Sequence, residues 1–351
     1  DGGSNEKGSN NTLLGYTAGK IITTGQANVI IGSLAGDALT TGSSSVIVGH
    51  SAGSALIGGA GNILLGKSAG AAMTTGANNI AIGLEAADGI NGLAHNNITI
   101  GARALGGCTA TTSNNIAIGT DALAHASYAA ANINLAIGTD AGIAITSGTQ
   151  NVLIGYQAGM TFSTTNSSTA VGHQALRLAT GATNTAVGSL AAAQVSAGLY
   201  NTAMGYAALY TADNAEENNT AIGYASLYGL NVDDGDLNTA LGRSAGSYMS
   251  NGSTALSDIR ECTYLGANTR GSAATGVENE TAVGYLAVGQ GADTVTLGNA
   301  DVTDIYAAQD SGATIHCGGI IEVGGALKEN LLTNSGFDVW SNSTLENVGS
   351  N

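Results

Sequence analysis

The sequence predicts an all-β fold, a parallel β-solenoid of about 17 coils, from three observations. First, a five-residue motif that starts with Asn and ends with Gly recurs along most of the 351 residues, for example at residues 28–32 and 151–155. Second, its final glycine returns mostly every 16 to 19 residues. Third, its three central residues are mostly apolar or β-branched, which suits a short strand. Such a period is typical of solenoids, in which each coil packs only on its neighbours.

The glycine that ends the motif is called the anchor glycine of its coil. We predict one of two reasons for glycine at this position. Either its backbone takes a conformation that residues with a Cβ cannot adopt, or another backbone passes too close to leave room for a Cβ. The 17 anchors are Gly15, Gly32, Gly49, Gly66, Gly83, Gly101, Gly119, Gly138, Gly155, Gly172, Gly188, Gly205, Gly223, Gly242, Gly266, Gly284 and Gly298.

The three residues before each anchor form a predicted strand with two faces. Its first and third side chains share one face, and its middle side chain points the other way. Because the third residue is apolar in all 17 coils, we predict that its face lines the interior. The middle residue, which is also mostly apolar, would then form an exposed stripe that marks an interface between chains. The predicted interchain seam comprises Leu13, Ile30, Ile47, Leu64 and Leu153.

Two further positions of the coil carry a strong preference. Asn lies four residues before 12 of the 17 anchors, which predicts a corner before the strand and a ladder of stacked Asn side chains. Ala lies three residues after 14 of them, which predicts a tight crossing. A coil of this size encloses little apolar area to offset the entropy of ordering the chain, which is a second reason to predict oligomers.

Composition narrows the class of partner. The formal net charge of −16 disfavours nucleic acid and anionic membrane surfaces. No run of 18 apolar residues predicts a transmembrane helix, so we predict no membrane insertion. The first residues contain neither Met nor a signal peptide, and we expect a fragment or a processed chain. Cys108, Cys262 and Cys317 are far apart and odd in number, which favours free core thiols over a disulfide framework.

The repeat pattern divides the chain into four predicted segments. Residues 1–10 are a polar lead-in, and residues 11–300 are the solenoid. Residues 301–328 read as transition or cap strands, and residues 329–351 read as the start of a truncated C-terminal β module. The spacing of 24 residues between Gly242 and Gly266 predicts that residues 250–261 bulge out of the coil.

The motif at this period, as in Asn-Thr-Ala-Ile-Gly at residues 219–223, resembles the repeat arrays of bacteriophage tail fibres. It is also similar to the β-roll head of trimeric autotransporter adhesins, whose shorter period is matched only between Gly284 and Gly298. Residues 330–340 resemble the start of the carbohydrate-binding-type modules that follow such arrays in phage fibres. The resemblance implies a left-handed β-roll in a homotrimer.

We therefore expect the structural shaft of a phage tail fibre or spike, which holds a receptor-binding tip for host-surface attachment. The expected location is the virion tail, outside the cell. Expected partners are two further copies of the chain, other tail or baseplate proteins, and a host-surface glycan bound through a distal module. The alternative is a bacterial surface adhesin or extracellular filament on the cell surface. A polysaccharide-degrading spike would need clustered carboxylates, and the acids here are scattered.

Candidate binding residues are sparse. Tyr156, Tyr206, Tyr224 and Tyr285 each follow an anchor, and such a column predicts either sugar stacking or ladder packing between coils. His50 and His173 occupy equivalent positions seven coils apart, which favours surface histidines over a metal site on a trimer axis.

The remaining sequence patterns do not predict a calcium site or a catalytic site. The acidic turn at residues 233–236 lacks the spacing of a calcium loop. No nucleophile or phosphate-loop motif is present in the sequence, so we predict no catalytic residues, no metal, no cofactor and no enzyme activity.

Overall fold

A computed structural model describes residues 8–92, 94–107, 112–125, 133–211, 216–230 and 235–305. Within these ranges the chain forms strands and turns and no helix, so the predicted all-β parallel solenoid is confirmed. The strands are β1 (Thr12–Leu14), β2 (Val29–Ile31), β3 (Val46–Val48), β4 (Ile63–Leu65), β5 (Ile80–Ile82), β6 (Ile98–Ile100), β7 (Ile116–Ile118), β8 (Leu135–Ile137), β9 (Val152–Ile154), β10 (Thr169–Val171), β11 (Thr185–Val187), β12 (Thr202–Met204), β13 (Thr220–Ile222), β14 (Thr239–Leu241), β15 (Ile259–Arg260), β16 (Thr263–Leu265), β17 (Val277–Glu278), β18 (Thr281–Val283) and β19 (Val295–Leu297).

Seventeen of these strands, one from each coil, form a single parallel sheet along the solenoid. Each strand pairs with the equivalent strand of the next coil without a register shift, as in Ile47↔Leu64. The other two strands, β15 and β17, form a separate parallel pair. Differences in coil length are therefore absorbed in the turns, and the sheet keeps one register throughout.

The anchor glycines explain this constant register. Their φ lies between +121° and +141° in the first 16 coils, where only glycine is free of strain. They also stack on each other: a Cβ added to Gly49 would lie 2.2 Å from the carbonyl oxygen of Gly66. Both predicted reasons for glycine are confirmed.

The predicted asparagine ladder is also present. The side-chain oxygen of Asn62 accepts hydrogen bonds from the backbone nitrogen and from Nδ2 of Asn79, at 3.0 and 3.2 Å. Asn79 in turn bonds Asn97. Where Ser45 replaces Asn, its hydroxyl accepts from the Asn62 nitrogen at 3.2 Å, so the ladder continues. These side chains are buried and satisfy backbone groups at the corner of each coil.

The predicted direction of the strand faces is wrong. Ile30, Ile47, Leu64 and Leu153 are fully buried inside their own chain, so they cannot form a seam between chains. Leu13 faces the same interior from the first coil, where it is 46% exposed. The first and third strand residues point outward instead.

The physical reason lies in the turns. After each anchor the chain folds back over the middle residue, and it brings the predicted small alanine, such as Ala35, onto that face. A second residue seven positions after the anchor, such as Leu39 or Phe162, completes the interior. This column of large apolar side chains was not predicted, although Leu39, Leu56 and Met73 recur at the period of the repeat.

The long coil between Gly242 and Gly266 contains the predicted insertion. It forms a hairpin in which Tyr248 and Ala255 make an antiparallel bridge, and it then enters β15. By its contacts the chain divides after Asp301 into two units, of which the second is described only at residues 302–305. These four residues are not in a strand, and the other predicted cap strands and the truncated module lie outside the described residues. No helix in the described ranges is long and apolar enough to cross a membrane.

Candidate functional site: an apolar stripe and a tyrosine cleft

The third strand residues form an apolar column on the outside of the solenoid, which we call the outer stripe. It contains one Val, Ile, Leu or Met in each of the 17 coils. Its members are at least partly exposed, and the exposure is 66% at Leu14 and 45% at Leu241. At about 4.8 Å per coil the stripe extends on the order of 80 Å. A continuous apolar column of this length makes the outer stripe a candidate assembly surface.

The first strand residues share the outward face and change character along the chain. They are Val, Ile or Leu from Val29 to Val152, and Thr from Thr169 to Thr281. The outward face is therefore apolar in both columns over β2 to β9, and in one column over β10 to β18. The more apolar half is the better candidate for a dry interface.

The residue after each anchor forms a third outward column, which contains the four predicted tyrosines. Tyr206 and Tyr224 stack with ring centroids 5.3 Å apart and planes 13° apart. Tyr156 stacks instead on His173, with centroids 5.3 Å apart. Tyr285 lies three coils beyond Tyr224 and is 62% exposed. The structure thus brings two of the four candidates together and leaves Tyr156 and Tyr285 elsewhere in the column.

A parallel column lies five residues after the anchors. There Tyr210 and Tyr228 stack with centroids 5.2 Å apart and planes 11° apart. Burial raises the pKa of Tyr228, and its neighbours Tyr210 and Tyr248 raise it further. The Tyr228 phenol therefore stays protonated at neutral pH and can donate a hydrogen bond.

These two tyrosine columns line a cleft of about 630 Å³, which we call the tyrosine cleft. Arg243 follows Tyr206 and Tyr224 in their column, and its guanidinium carbon lies 5.9 Å from the Tyr224 ring centroid, a cation–π contact. Besides the four stacked tyrosines, the polar lining includes Tyr248, Arg243, Ser244, Asn268 and Arg270.

The hairpin of the long coil contributes to this lining through Tyr248 and Gly252. Its turn is held by Asn251, whose side-chain oxygen accepts from the Ser253 and Thr254 nitrogens, both at 2.9 Å. Arg270 donates to the Ser250 carbonyl at 3.3 Å, which ties it to the hairpin. The sequence predicted Tyr206, Tyr224 and the bulge, but neither arginine was predicted. The available signal was an Arg in the tyrosine column next to the longest coil spacing.

The asparagine ladder is replaced near its end by a buried polar cluster. Cys262 and Glu280 occupy the ladder position in their coils, and the Tyr264 hydroxyl donates to Glu280 at 2.9 Å. The Gly291 nitrogen also donates to Glu280, at 2.9 Å. Cys262 is a free, buried thiol as predicted, and burial raises its pKa. Cys108 and Cys317 lie outside the described residues.

Metal ligands do not converge in the described ranges. No group of three or more His, Cys, Asp or Glu side chains there could hold a metal ion. His50 bonds the Ser51 hydroxyl at 3.0 Å, and His173 packs on Tyr156. Asp233 and Asp234 of the acidic turn lie outside the described residues.

Comparison with protein-family models finds no model that matches the chain, and comparison with curated proteins finds no match. The assignment of a function therefore rests on the repeat, the outer stripe and the tyrosine cleft.

Proposed function

We propose that this chain is the structural shaft of a bacteriophage tail fibre or spike, assembled as a homotrimer of left-handed β-rolls. The shaft holds a receptor-binding tip away from the virion for host-surface attachment. The observation that carries the proposal is the outer stripe, an apolar column that runs through all 17 coils of one chain. Left-handedness and the number of three chains come from the resemblance of the repeat to phage fibres and trimeric adhesin heads.

Assembly is favoured by the free energy gained when the apolar side chains of the outer stripe are buried between chains. Full burial of one aliphatic side chain contributes about 1.5–3 kcal/mol, and covering a partly exposed side chain contributes a fraction of that. Six of the 17 stripe residues are exposed and eleven are partly exposed, so many small contributions add up along the solenoid. The interior alone is small, because many coils have Ala at the strand centre, such as Ala117, Ala170 and Ala221. Burial between chains supplements this interior.

A mechanical role is favoured by the regularity of the backbone. Along most of the solenoid, each coil is joined to the next by the strand ladder, the anchor stacking and the asparagine ladder. Because these contacts repeat in register, bending the solenoid would break several of them at once. Such a rod is suited to act as a spacer, with tail or baseplate proteins at one end and a glycan-binding module at the other.

The mass of the chain in solution tests the assembly. Light scattering of the purified protein over a range of concentrations should give three times 34.3 kDa. A concentration-independent monomer would overturn the trimeric shaft, because the outer stripe would then be exposed to water. A stable dimer would retain the stripe as an interface and overturn the three-fold arrangement.

A bacterial surface adhesin or extracellular filament is the second candidate, favoured by the short unit between Gly284 and Gly298. The rest of the reading frame and the neighbouring genes distinguish the two. An export signal or surface anchor would favour the adhesin, whereas adjacent genes for tail or baseplate proteins would favour the phage shaft.

A further inference from the structure

We propose that the tyrosine cleft binds an acidic saccharide, a sugar that carries a carboxylate, on the side of the solenoid. The site goes beyond the proposed shaft function, because it is formed within one chain and does not need a distal module. Its residues come from consecutive coils between Leu190 and Arg270.

The tyrosines supply a surface that suits sugar. A phenol has an apolar ring and one hydroxyl that both donates and accepts, which matches the alternating C–H and O–H groups of a saccharide. Five tyrosines line the cleft, and the small residues Ala207, Ala225 and Ser244 lie among them. A volume of about 630 Å³ is in the usual range for sites that hold a small ligand.

The arginines supply selectivity for a negative charge. Arg243 and Arg270 line the cleft, and among the residues that the structure describes its lining contains no Asp or Glu. Neither arginine makes an ion pair with a described carboxylate, whereas Arg103 pairs with Asp121 at 2.6 Å. Because a guanidinium binds a carboxylate through two parallel hydrogen bonds, this pair points to an acidic sugar over a neutral one.

The concentration of cations here is unusual for the chain. The protein has nine Lys and Arg against 25 Asp and Glu, and two of the nine line one cleft. The cleft is also largely preformed, since the Asn251 turn fixes the hairpin and Arg270 is bonded to Ser250. Preformed groups lose less entropy on binding, which favours recognition of a small ligand.

The test uses the full chain and saturation-transfer NMR with two probes, sodium glucuronate and glucose. Glucuronate should bind measurably and at least about tenfold more tightly than glucose, a difference of about 1.4 kcal/mol. Arg243→Gln and Arg270→Gln should each weaken glucuronate about tenfold and leave glucose unchanged. Tyr224→Ala should weaken both sugars.

Two matched controls are available outside the cleft. Tyr285→Ala removes a tyrosine from the same column, and Arg177→Gln removes an arginine from the column of Tyr210 and Tyr228. Neither should alter glucuronate binding. Circular dichroism of the Arg243, Tyr224 and Tyr285 variants should match the parent, because these residues are exposed. The same spectrum of the Arg270 and Arg177 variants verifies that the solenoid is intact.

Three outcomes would overturn the acidic saccharide site. Equal binding of glucose and glucuronate would remove the role of the arginines. Unchanged binding in both arginine variants would place the sugar elsewhere. Displacement of glucuronate by equimolar sodium phosphate would indicate a general anion site. The mass measured on the same samples tests the trimer separately. If the cleft does not bind glucuronate, the shaft proposal is therefore unaffected.

Discussion

The side chain of Leu64 fills the space left by the missing side chain of Gly70: a Cβ added there would lie 2.9 Å from Leu64 Cδ2. Gly70 follows its anchor by four residues, and in another coil the same position holds Leu123, beside Ala117 at the strand centre. All five coils with Leu or Ile at the strand centre have glycine at this turn position, whereas five of the coils with a small strand centre have leucine there. In these ten coils, interior volume is exchanged between the two positions.

This exchange predicts a rescue. Leu64→Ala should destabilise the protein by about 2–5 kcal/mol because it leaves a cavity. Adding Gly70→Leu should restore a large part of the loss, since Leu123 adopts φ of +53° at the equivalent position. Gly70→Leu alone should be destabilising through overpacking, by about 1–3 kcal/mol. Urea unfolding followed by circular dichroism measures all three. A double variant less stable than Leu64→Ala would contradict the exchange.

Neighbouring residues on opposite strand faces give a second prediction. Ile47 is fully buried in the interior, so Ile47→Asp should disrupt its coil by several kcal/mol. Val48 and Leu65 lie on the outer stripe, so the double variant Val48→Asp, Leu65→Asp should keep the β spectrum and shift the proposed trimer towards monomer. Thr24→Asp, on an exposed turn, is the control that should change neither property. Light scattering and circular dichroism together separate these outcomes, and an unchanged mass in the Val48, Leu65 variant would argue against the outer stripe as a seam.

Two glycines of one coil, Gly49 and Gly58, should differ in how far substitution by alanine destabilises the protein. Gly49→Ala would force φ of +141° on an alanine and would place its Cβ against the Gly66 carbonyl. Backbone strain alone costs roughly 1–3 kcal/mol, and the collision adds to it. Gly58 is outside the left-handed region, and an added Cβ would meet only the Thr41 hydroxyl at 3.2 Å. Gly58→Ala should therefore be close to neutral in a thermal unfolding experiment, while Gly49→Ala lowers the midpoint by several degrees.

The buried thiol gives a pH-dependent prediction. Burial raises the pKa of Cys262 above its usual value of 9.0. Its contribution to stability is therefore fully present below pH 9 and is lost as the pH rises from there through the pKa in the folded state. The stability difference between the parent and Cys262→Ala, measured by urea unfolding, should shrink as the pH rises above 9.0.

Thiol labelling checks the same burial. In a Cys108→Ser, Cys317→Ser background, Cys262 should react with iodoacetamide only after addition of denaturant. Rapid labelling of the native protein at neutral pH would show that the coil around Cys262 opens readily.

The sequence was sufficient for the coil, the strand position, the anchor stacking and the asparagine ladder, because each depends on one residue type at one position. It failed on the direction of the strand, because a run such as Val29-Ile30-Ile31 is apolar at all three positions and has no alternation to read. Later coils contain the missing signal. The first strand position of the 17-stranded sheet is Thr from Thr169 to Thr281, as an outward residue can be, whereas the middle position is mostly Ala there.

The tyrosine cleft was predictable only in part. Tyr206 and Tyr224 share a repeat position, so their stacking follows from the period. Arg270 is in a different position of its coil, and its approach to Tyr248 and Ser250 depends on the hairpin of the long coil. That hairpin is an insertion in the repeat. The repeat predicts the position of residues that recur in each coil, but it does not predict the path of an insertion.

Because the 17-stranded sheet keeps one register, the length of the solenoid can change only by whole coils. Each additional unit of about 17 residues would lengthen the solenoid by about 4.8 Å and would leave the bonding of every other coil unchanged. Duplication or loss of a unit in the gene would therefore act as a whole-number adjustment of reach. Since each coil has one anchor glycine, the number of anchor glycines gives the length of the solenoid in coils.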